Sequence, residues 1–235
     1  MREGLAYSDV LLVPQYSDIE SRKEVSLNSK LGFIDCDLPI IASPMDTVSE
    51  VAMAKAMDAK GAIAIIHRYN DIEDQARMVA EASEGNSLVG AAVGTSGDFL
   101  ERAYACYEAG ADVICVDVAH GHHSLMKQAL KLLRQMVSDD VHIMAGNVAT
   151  FEGYEDLASW GADSVRCNIG GGSICSTRIQ TGHGVPGLQT IFDCSRSHFA
   201  GSVPIIADGG IRDAGDISKA LAAGADFVMF GSWLA

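Results

Sequence analysis

Basic residues are scarce. Seventeen Lys and Arg stand against thirty-one Asp and Glu, a net charge of −14, so the overall field repels phosphate backbones and anionic membranes and argues against nucleic-acid or membrane partners. Any phosphate bound here must be held by local backbone donors. No apolar run approaches the roughly 18 residues of a spanning helix, and Met1-Arg2-Glu3-Gly4 lacks the apolar core of a signal peptide, which points to the cytoplasm. There is no Cys-x-x-Cys pair, and six cysteines are too few for a disulfide framework at this length, so they read as thiols. Most sit in apolar runs, as Cys115 does in Val113-Ile114-Cys115-Val116; Cys175, after glycines in a polar loop, is the exception. Also missing are a Gly-x-Gly-x-x-Gly after a strand, a Walker phosphate loop and a nucleophile-elbow serine.

What is there is a recurring phrase. In 235 residues, 48% hydrophobic and 20% charged, Gly-Ala-Asp occurs at 110–112, 161–163 and 224–226, with Gly61-Ala62 as a fainter copy. Each copy follows a helical pattern and precedes a short apolar run. The glycine suits the left-handed position that ends a helix, and the run suits a strand buried on both faces. This key predicts eight strands near 39–43, 62–67, 88–93, 113–116, 142–146, 164–167, 204–207 and 227–230. Helical periods fall at 51–59, 72–81, 99–109, 125–137, 151–159, 188–199 and 214–223. Regular alternation implies parallel strands and right-handed crossovers, and eight units favour a closed (β/α)₈ TIM barrel over an open doubly wound sheet. Residues 1–37 read as an extended N-terminal arm and 38–235 as the barrel, with no second domain.

In such barrels the reactive groups lie on loops after the strands. The sixth strand is followed by Asn168-Ile169-Gly170-Gly171-Gly172-Ser173-Ile174-Cys175-Ser176-Thr177-Arg178. Its glycines let backbone N–H groups approach an anion, though a flexible turn is the plain alternative. Asp208-Gly209-Gly210 after the seventh strand and Gly231-Ser232 after the eighth strengthen the anion reading, because barrels commonly bind phosphate on those loops. Cys175 is a candidate nucleophile or a passive thiol, and Thr177 could place a hydroxyl beside it. His120-Gly121-His122-His123 looks like a metal cluster but lacks the one-turn spacing and a completing ligand set, so no metal is assigned there. Asp117, at a strand end, is placed to accept ribose hydroxyls or to cap a helix.

From Gly4 to Ala235 the sequence resembles the family of inosine monophosphate dehydrogenases and guanosine monophosphate reductases. The resemblance rests on Tyr7-Ser8-Asp9-Val10-Leu11-Leu12-Val13-Pro14, Ala42-Ser43-Pro44-Met45-Asp46-Thr47-Val48, Gly146-Asn147-Val148, the segment from Gly172 to Arg178, and Ala207-Asp208-Gly209-Gly210-Ile211. It implies that Cys175 attacks C2 of a purine nucleotide with Thr177 beside it. Asp208 would bind ribose hydroxyls, and Ser173, Gly210, Gly231 and Ser232 the 5′-phosphate. Ser43, Met45, Asn147 and Arg166 would line the nucleotide pocket, and Asp117 would meet the ribose of NAD. Carbonyls of Gly170, Gly172 and Cys175 would bind potassium, as in the dehydrogenases, and the assembly would be a homotetramer.

Four loops side with the dehydrogenases. They are Ser43-Pro44-Met45 against Ala-Asn-Met in reductases, His120-Gly121-His122 against Asn-Gly-Tyr, Ala207 to Ile211 against Ser-Asp-Gly-Gly-Cys, and Gly231-Ser232 against Gly-Gly. Thr181-Gly182, Ala225-Asp226-Phe227-Val228-Met229 and the lack of an inserted regulatory module are reductase-like. The resemblance therefore implies NAD-dependent oxidation of inosine monophosphate, with a guanosine monophosphate reductase using NADPH as the alternative. The family has Gly where Asn168 stands and Val where Cys167 stands, so the cysteine loop begins here with a bulkier residue. The family also continues past the eighth strand into a helix and a flap that completes catalysis. A chain ending at Ala235 is expected to lack both, which leaves a non-catalytic nucleotide-binding barrel as a third reading.

Overall fold

The Gly-Ala-Asp phrase is a two-bond latch. In the computed structural model, which describes residues 3–173 and 175–235, Gly110, Gly161 and Gly224 have φ of +98°, +99° and +108° and end their helices. The aspartate that follows then grips the preceding strand. The N–H groups of Asp112, Asp163 and Asp226 donate to the carbonyls of Val89, Ile143 and Ile205 at 2.8–2.9 Å. Their carboxylates accept the N–H groups of the same three residues at 2.9, 2.7 and 2.8 Å. At Gly61 the fainter copy works through its carbonyl, which accepts from Asp37 and Leu38.

The barrel strands are β3 (Ile40–Ala42), β4 (Ile63–Ile66), β5 (Gly90–Val93), β6 (Val113–Asp117), β7 (His142–Val148), β8 (Ser164–Cys167), β9 (Ile205–Asp208) and β10 (Phe227–Phe230). All pair in parallel with their neighbours, and β10 closes the barrel on β3. Between them run α1 (Val51–Asp58), α2 (Ile72–Ala82), α3 (Phe99–Glu108), α4 (Ser124–Met136), α5 (Phe151–Ser159), α6 (Thr177–Thr181), α7 (Gly187–Cys194) and α8 (Ala214–Ala222). None of the described helices is long and apolar enough to cross a membrane.

Strand alternation sorts the core into two layers. Ile41, Ile63, Ile65, Val113, Met144 and Phe227 fill the interior, while their neighbours Ala42, Ile66, Ile114, Val165 and Val228 pack outward against helix residues such as Leu130, Leu133 and Ile191. Five cysteines are buried and Cys175 is exposed, all of them free thiols.

The structure departs from the sequence reading in three places. The segment read as an extended arm contains a hairpin, β1 (Ser29–Leu31) and β2 (Ile34–Cys36), whose Leu31 and Ile34 join the interior cluster and plug the end of the barrel opposite the glycine loops. The helix expected over 188–199 stops at Cys194, and Ser197 turns the chain by accepting the Phe199 N–H. The cysteine loop continues into α6, which ends at Gly182 with φ +69°.

Candidate active site

Four strand ends, those of β6, β7, β8 and β9, meet around one cation. Arg166, buried on β8, donates from Nη2 and Nε to Asp208 Oδ2 at 2.7 and 3.1 Å and from Nη1 to Asp117 Oδ1. Burial opposes its charge, but Asp208 and Asp117 outweigh that and hold its pKa above the ordinary value. Asn147 Nδ2, from the end of β7, adds a third donor to Asp208 Oδ2 at 2.7 Å. Among the described residues no donor reaches Asp208 Oδ1, so one oxygen is held and the other remains to accept from a ligand. Cys115 lies beneath Arg166, and burial pushes its thiol up to about 12, a passive core group.

Two adjoining clefts open above this network and share Gly171, Gly172, Asp208 and Gly209. One, of about 380 Å³, is lined by Asp117, Asn147, Arg166, Gly170, Cys175 and Thr177 among others. The second, of about 360 Å³, is lined by Ser43, Met45, Ser173, Gly210, Gly231 and Ser232. Every site residue singled out from the sequence therefore lies on one of the two. The exposed Cys175 thiol donates to Thr177 Oγ1 at 3.3 Å. Ser173 and Ser232, 59 residues apart, bring their hydroxyls to 2.9 Å. Ser43 Oγ is buried and has no hydrogen-bond partner among the described residues. Ile174, within the loop, lies outside the described residues.

A larger cavity of about 600 Å³ lies beside α5 and α7, lined by Glu3, Glu152, Gln189, Asp193 and Arg196. It contains neither the thiol nor the glycine loops, so chemistry rather than volume assigns the site. The histidines at 120–123 are engaged elsewhere. His122 pairs with Asp156 at 2.7 Å and His123 caps α4 by accepting the Leu125 N–H. Among the described residues no group of three His, Cys, Asp or Glu side chains is arranged for a metal ion.

Sequence reasoning missed Arg68 and Tyr69, which also line the first cleft. Arg68, after β4, donates to the Asp117 carbonyl at 3.3 Å, its Nε lies 3.9 Å from Asp117 Oδ2, and its guanidinium lies 5.8 Å from the Tyr69 ring. An Arg-Tyr pair ending a strand was the available signal. Asn168 gave its own signal, a non-glycine opening a glycine loop, and its contacts are taken up below. For a potassium ion the loop offers the right donor type, oxygen alone. The Gly172 carbonyl accepts from the Cys175 N–H at 3.2 Å and keeps a second lone pair.

A family model described as IMP dehydrogenase / GMP reductase domain matches residues 4–235. An inosine-5′-monophosphate dehydrogenase of Cryptosporidium parvum is 39% identical over 277 residues, covering 99% of this chain and 68% of that protein. A GMP reductase of Aliivibrio salmonicida is also 39% identical, over 241 residues, covering 98% of this chain and 69% of that protein. The crystal structure of inosine 5′ monophosphate dehydrogenase from Legionella pneumophila superposes with a TM-score of 0.91 at 48% identity, covering 99% of this chain and 70% of that one.

Proposed function

The chain belongs to the IMP dehydrogenase / GMP reductase family, and from that premise we propose that the full-length protein oxidises inosine monophosphate to xanthosine monophosphate with NAD⁺. One observation carries the reading. An exposed thiol, a hydroxyl 3.3 Å from it and a half-buried carboxylate with one oxygen held by Arg166 line the same barrel mouth as two serines that meet across the seam of the glycine loops. The four dehydrogenase-like loops support the choice of branch, as does the 48% identity to the Legionella dehydrogenase structure.

Ser173, Ser232 and the N–H groups around Gly210 and Gly231 hold the 5′-phosphate, local donors that replace the missing basic surface. Asp208 accepts the ribose hydroxyls on Oδ1, and Ser43, Met45 and Asn147 frame the base. The Cys175 thiolate adds to C2 of the base, forming a C–S bond. Asp117 would hold the ribose of NAD⁺, which would supply the acceptor for the hydride leaving C2. Water then adds to the thioimidate at C2 and the thiolate departs, so xanthosine monophosphate forms and Cys175 is regenerated. Thr177, within reach of Sγ, hydrogen-bonds the sulfur and the incoming water. Asp117 and Arg68 form the wall that the nicotinamide ribose meets. Potassium would be held by the carbonyls of Gly170, Gly172 and Cys175 and would stiffen the loop.

The reductase reading is the second one, and equal identity to the Cryptosporidium dehydrogenase and the Aliivibrio reductase favours keeping it. There the same thiolate displaces ammonia from guanosine monophosphate, and NADPH returns hydride to C2. The test is the full-length protein with inosine monophosphate and NAD⁺. NADH formation stimulated by potassium, with an intact-mass adduct that disappears in Cys175→Ala, is the expected result. Ammonia release from guanosine monophosphate with NADPH, and no NADH, transfers the assignment to the reductase.

A further inference from the structure

Asn168 is buried at 3% exposure with φ +126°, a region where a side chain other than glycine is strained. Its carboxamide is fully engaged. Nδ2 donates to the carbonyls of Asp208 and Gly209 at 3.0 and 3.1 Å, and Oδ1 accepts from Arg178 Nη2 at 3.0 Å. Its backbone is engaged as well: the N–H donates to the Val148 carbonyl at 2.7 Å, and the carbonyl accepts from Asn147 Nδ2 at 2.9 Å. Gly171 presses on the amide so closely that a Cβ there would stand 1.9 Å from Nδ2. Arg178 spends its other donors on the carbonyls of Ile169 at 2.8 Å and Val185 at 2.6 Å. One side chain and one guanidinium thus tie both feet of the Cys175 loop, and tie that loop to the end of β9 that carries Asp208.

We infer that Asn168 and Arg178 are positioning residues: their clamp fixes the Cys175 loop against Asp208, so that thiol and carboxylate address one ligand. The inference rests on Cys175 being the nucleophile of the proposed reaction. Neither residue touches the reacting carbon. Cys175 itself is exposed, and among the described residues its hydrogen bonds go to the Gly172 carbonyl and Thr177 alone, so its place over the cleft depends on the loop's ends. The strain at Asn168 is retained because glycine, although free of it, would give up the three carboxamide bonds.

The experiment compares the full-length wild type with Asn168→Gly, which relieves φ and so keeps the fold, and with Arg178→Gln. Hydrogen–deuterium exchange without ligand should rise about tenfold in amides of 170–173 and 175–178, with β6 and β7 still protected. Adduct formation at Cys175 with inosine monophosphate and NAD⁺ should slow about tenfold or more, whereas alkylation by iodoacetamide, which needs no orientation, should stay within about twofold. A merely structural role would move both rates together. Unchanged exchange in both variants, or wild-type adduct rates, overturns the clamp. If the wild type forms no adduct with inosine or guanosine monophosphate, the reading of Cys175 falls, and the exchange rates still decide the clamp.

Discussion

Arg166 holds Asp208 by two nitrogens on a single carboxylate oxygen, 2.7 and 3.1 Å from Oδ2, while its third nitrogen reaches Asp117. The two carboxylates that face different parts of the cleft therefore share one buried cation. Their separation is set by a rigid guanidinium on β8 rather than by their own loops.

Replacing Arg166 with Met should leave both carboxylates partly buried and uncompensated. We expect a loss of about 3 kcal/mol in denaturant unfolding, together with weakened nucleotide binding as Asp208 loses its orientation. Unchanged stability would mean that water takes over the guanidinium's role.

Ser173→Ala and Ser232→Ala should each weaken binding of inosine monophosphate about tenfold and leave the weaker binding of inosine unaffected. Because the two hydroxyls are 2.9 Å apart, the double variant should lose less than the sum of the singles. Calorimetry with nucleotide and nucleoside separates the two effects.

Thr177→Val removes the acceptor for the Cys175 thiol. Turnover should fall by about 10 to 100-fold with little change in nucleotide affinity. A rise in KM with intact kcat would instead make Thr177 a binding residue.

The barrel was legible because its order is local. The Gly-Ala-Asp phrases mark helix ends and strand starts, and each strand is a short apolar run. The hairpin at Ser29–Leu31 and Ile34–Cys36 was not, because its two buried residues Leu31 and Ile34 flank a Gly32-Phe33 turn too short to show a period, and the barrel interior stabilises it from outside. For the site, the glycine loops and Cys175 announced themselves by composition. Arg68 did not, since its partner Asp117 lies 49 residues away; Asn168 stood out as a departure from glycine, but not its hold on Asp208, 40 residues away. The short α6 depends on Gly182 and on the bond from Thr181 Oγ1 to the Thr177 carbonyl at 2.8 Å, weak signals within a polar stretch.

At the plugged end, His142 is buried, its Nε2 lies 2.7 Å from Ser164 Oγ, and its Nδ1 has no partner among the described residues. Burial pushes its pKa from 6.5 down to about 4. The unfolded chain therefore binds the proton first. Stability from this group is complete above pH 6.5 and declines as pH falls to about 4, by about 3 kcal/mol in all. His142→Gln should flatten that part of the unfolding profile. A variant whose stability falls as steeply as wild type over this window would exclude His142 as the source.

The latch predicts a cost far from the chemistry. Asp163→Ala strips the Ile143 N–H of its carboxylate partner and Arg134 of its ion pair. Stability should drop by about 1 to 3 kcal/mol while the rate of the Cys175 adduct remains unchanged. A slowed adduct would show that the two ends of the barrel are coupled.

Closure of β10 on β3 also has a consequence for synthesis. Ser43 and Met45 follow the first barrel strand, Ser232 follows the last, and the Ser43 N–H donates across the seam to the Phe230 carbonyl at 2.8 Å. A ribosome making this chain delivers Ser173 59 residues before Ser232, an interval of about 3 to 12 s at ordinary elongation rates. During that interval the Cys175 thiol has been made but the second half of the anion cradle has not. The nascent chain thus presents the Cys175 thiol before Ser232, the hydroxyl that meets Ser173 across the barrel seam, has been made.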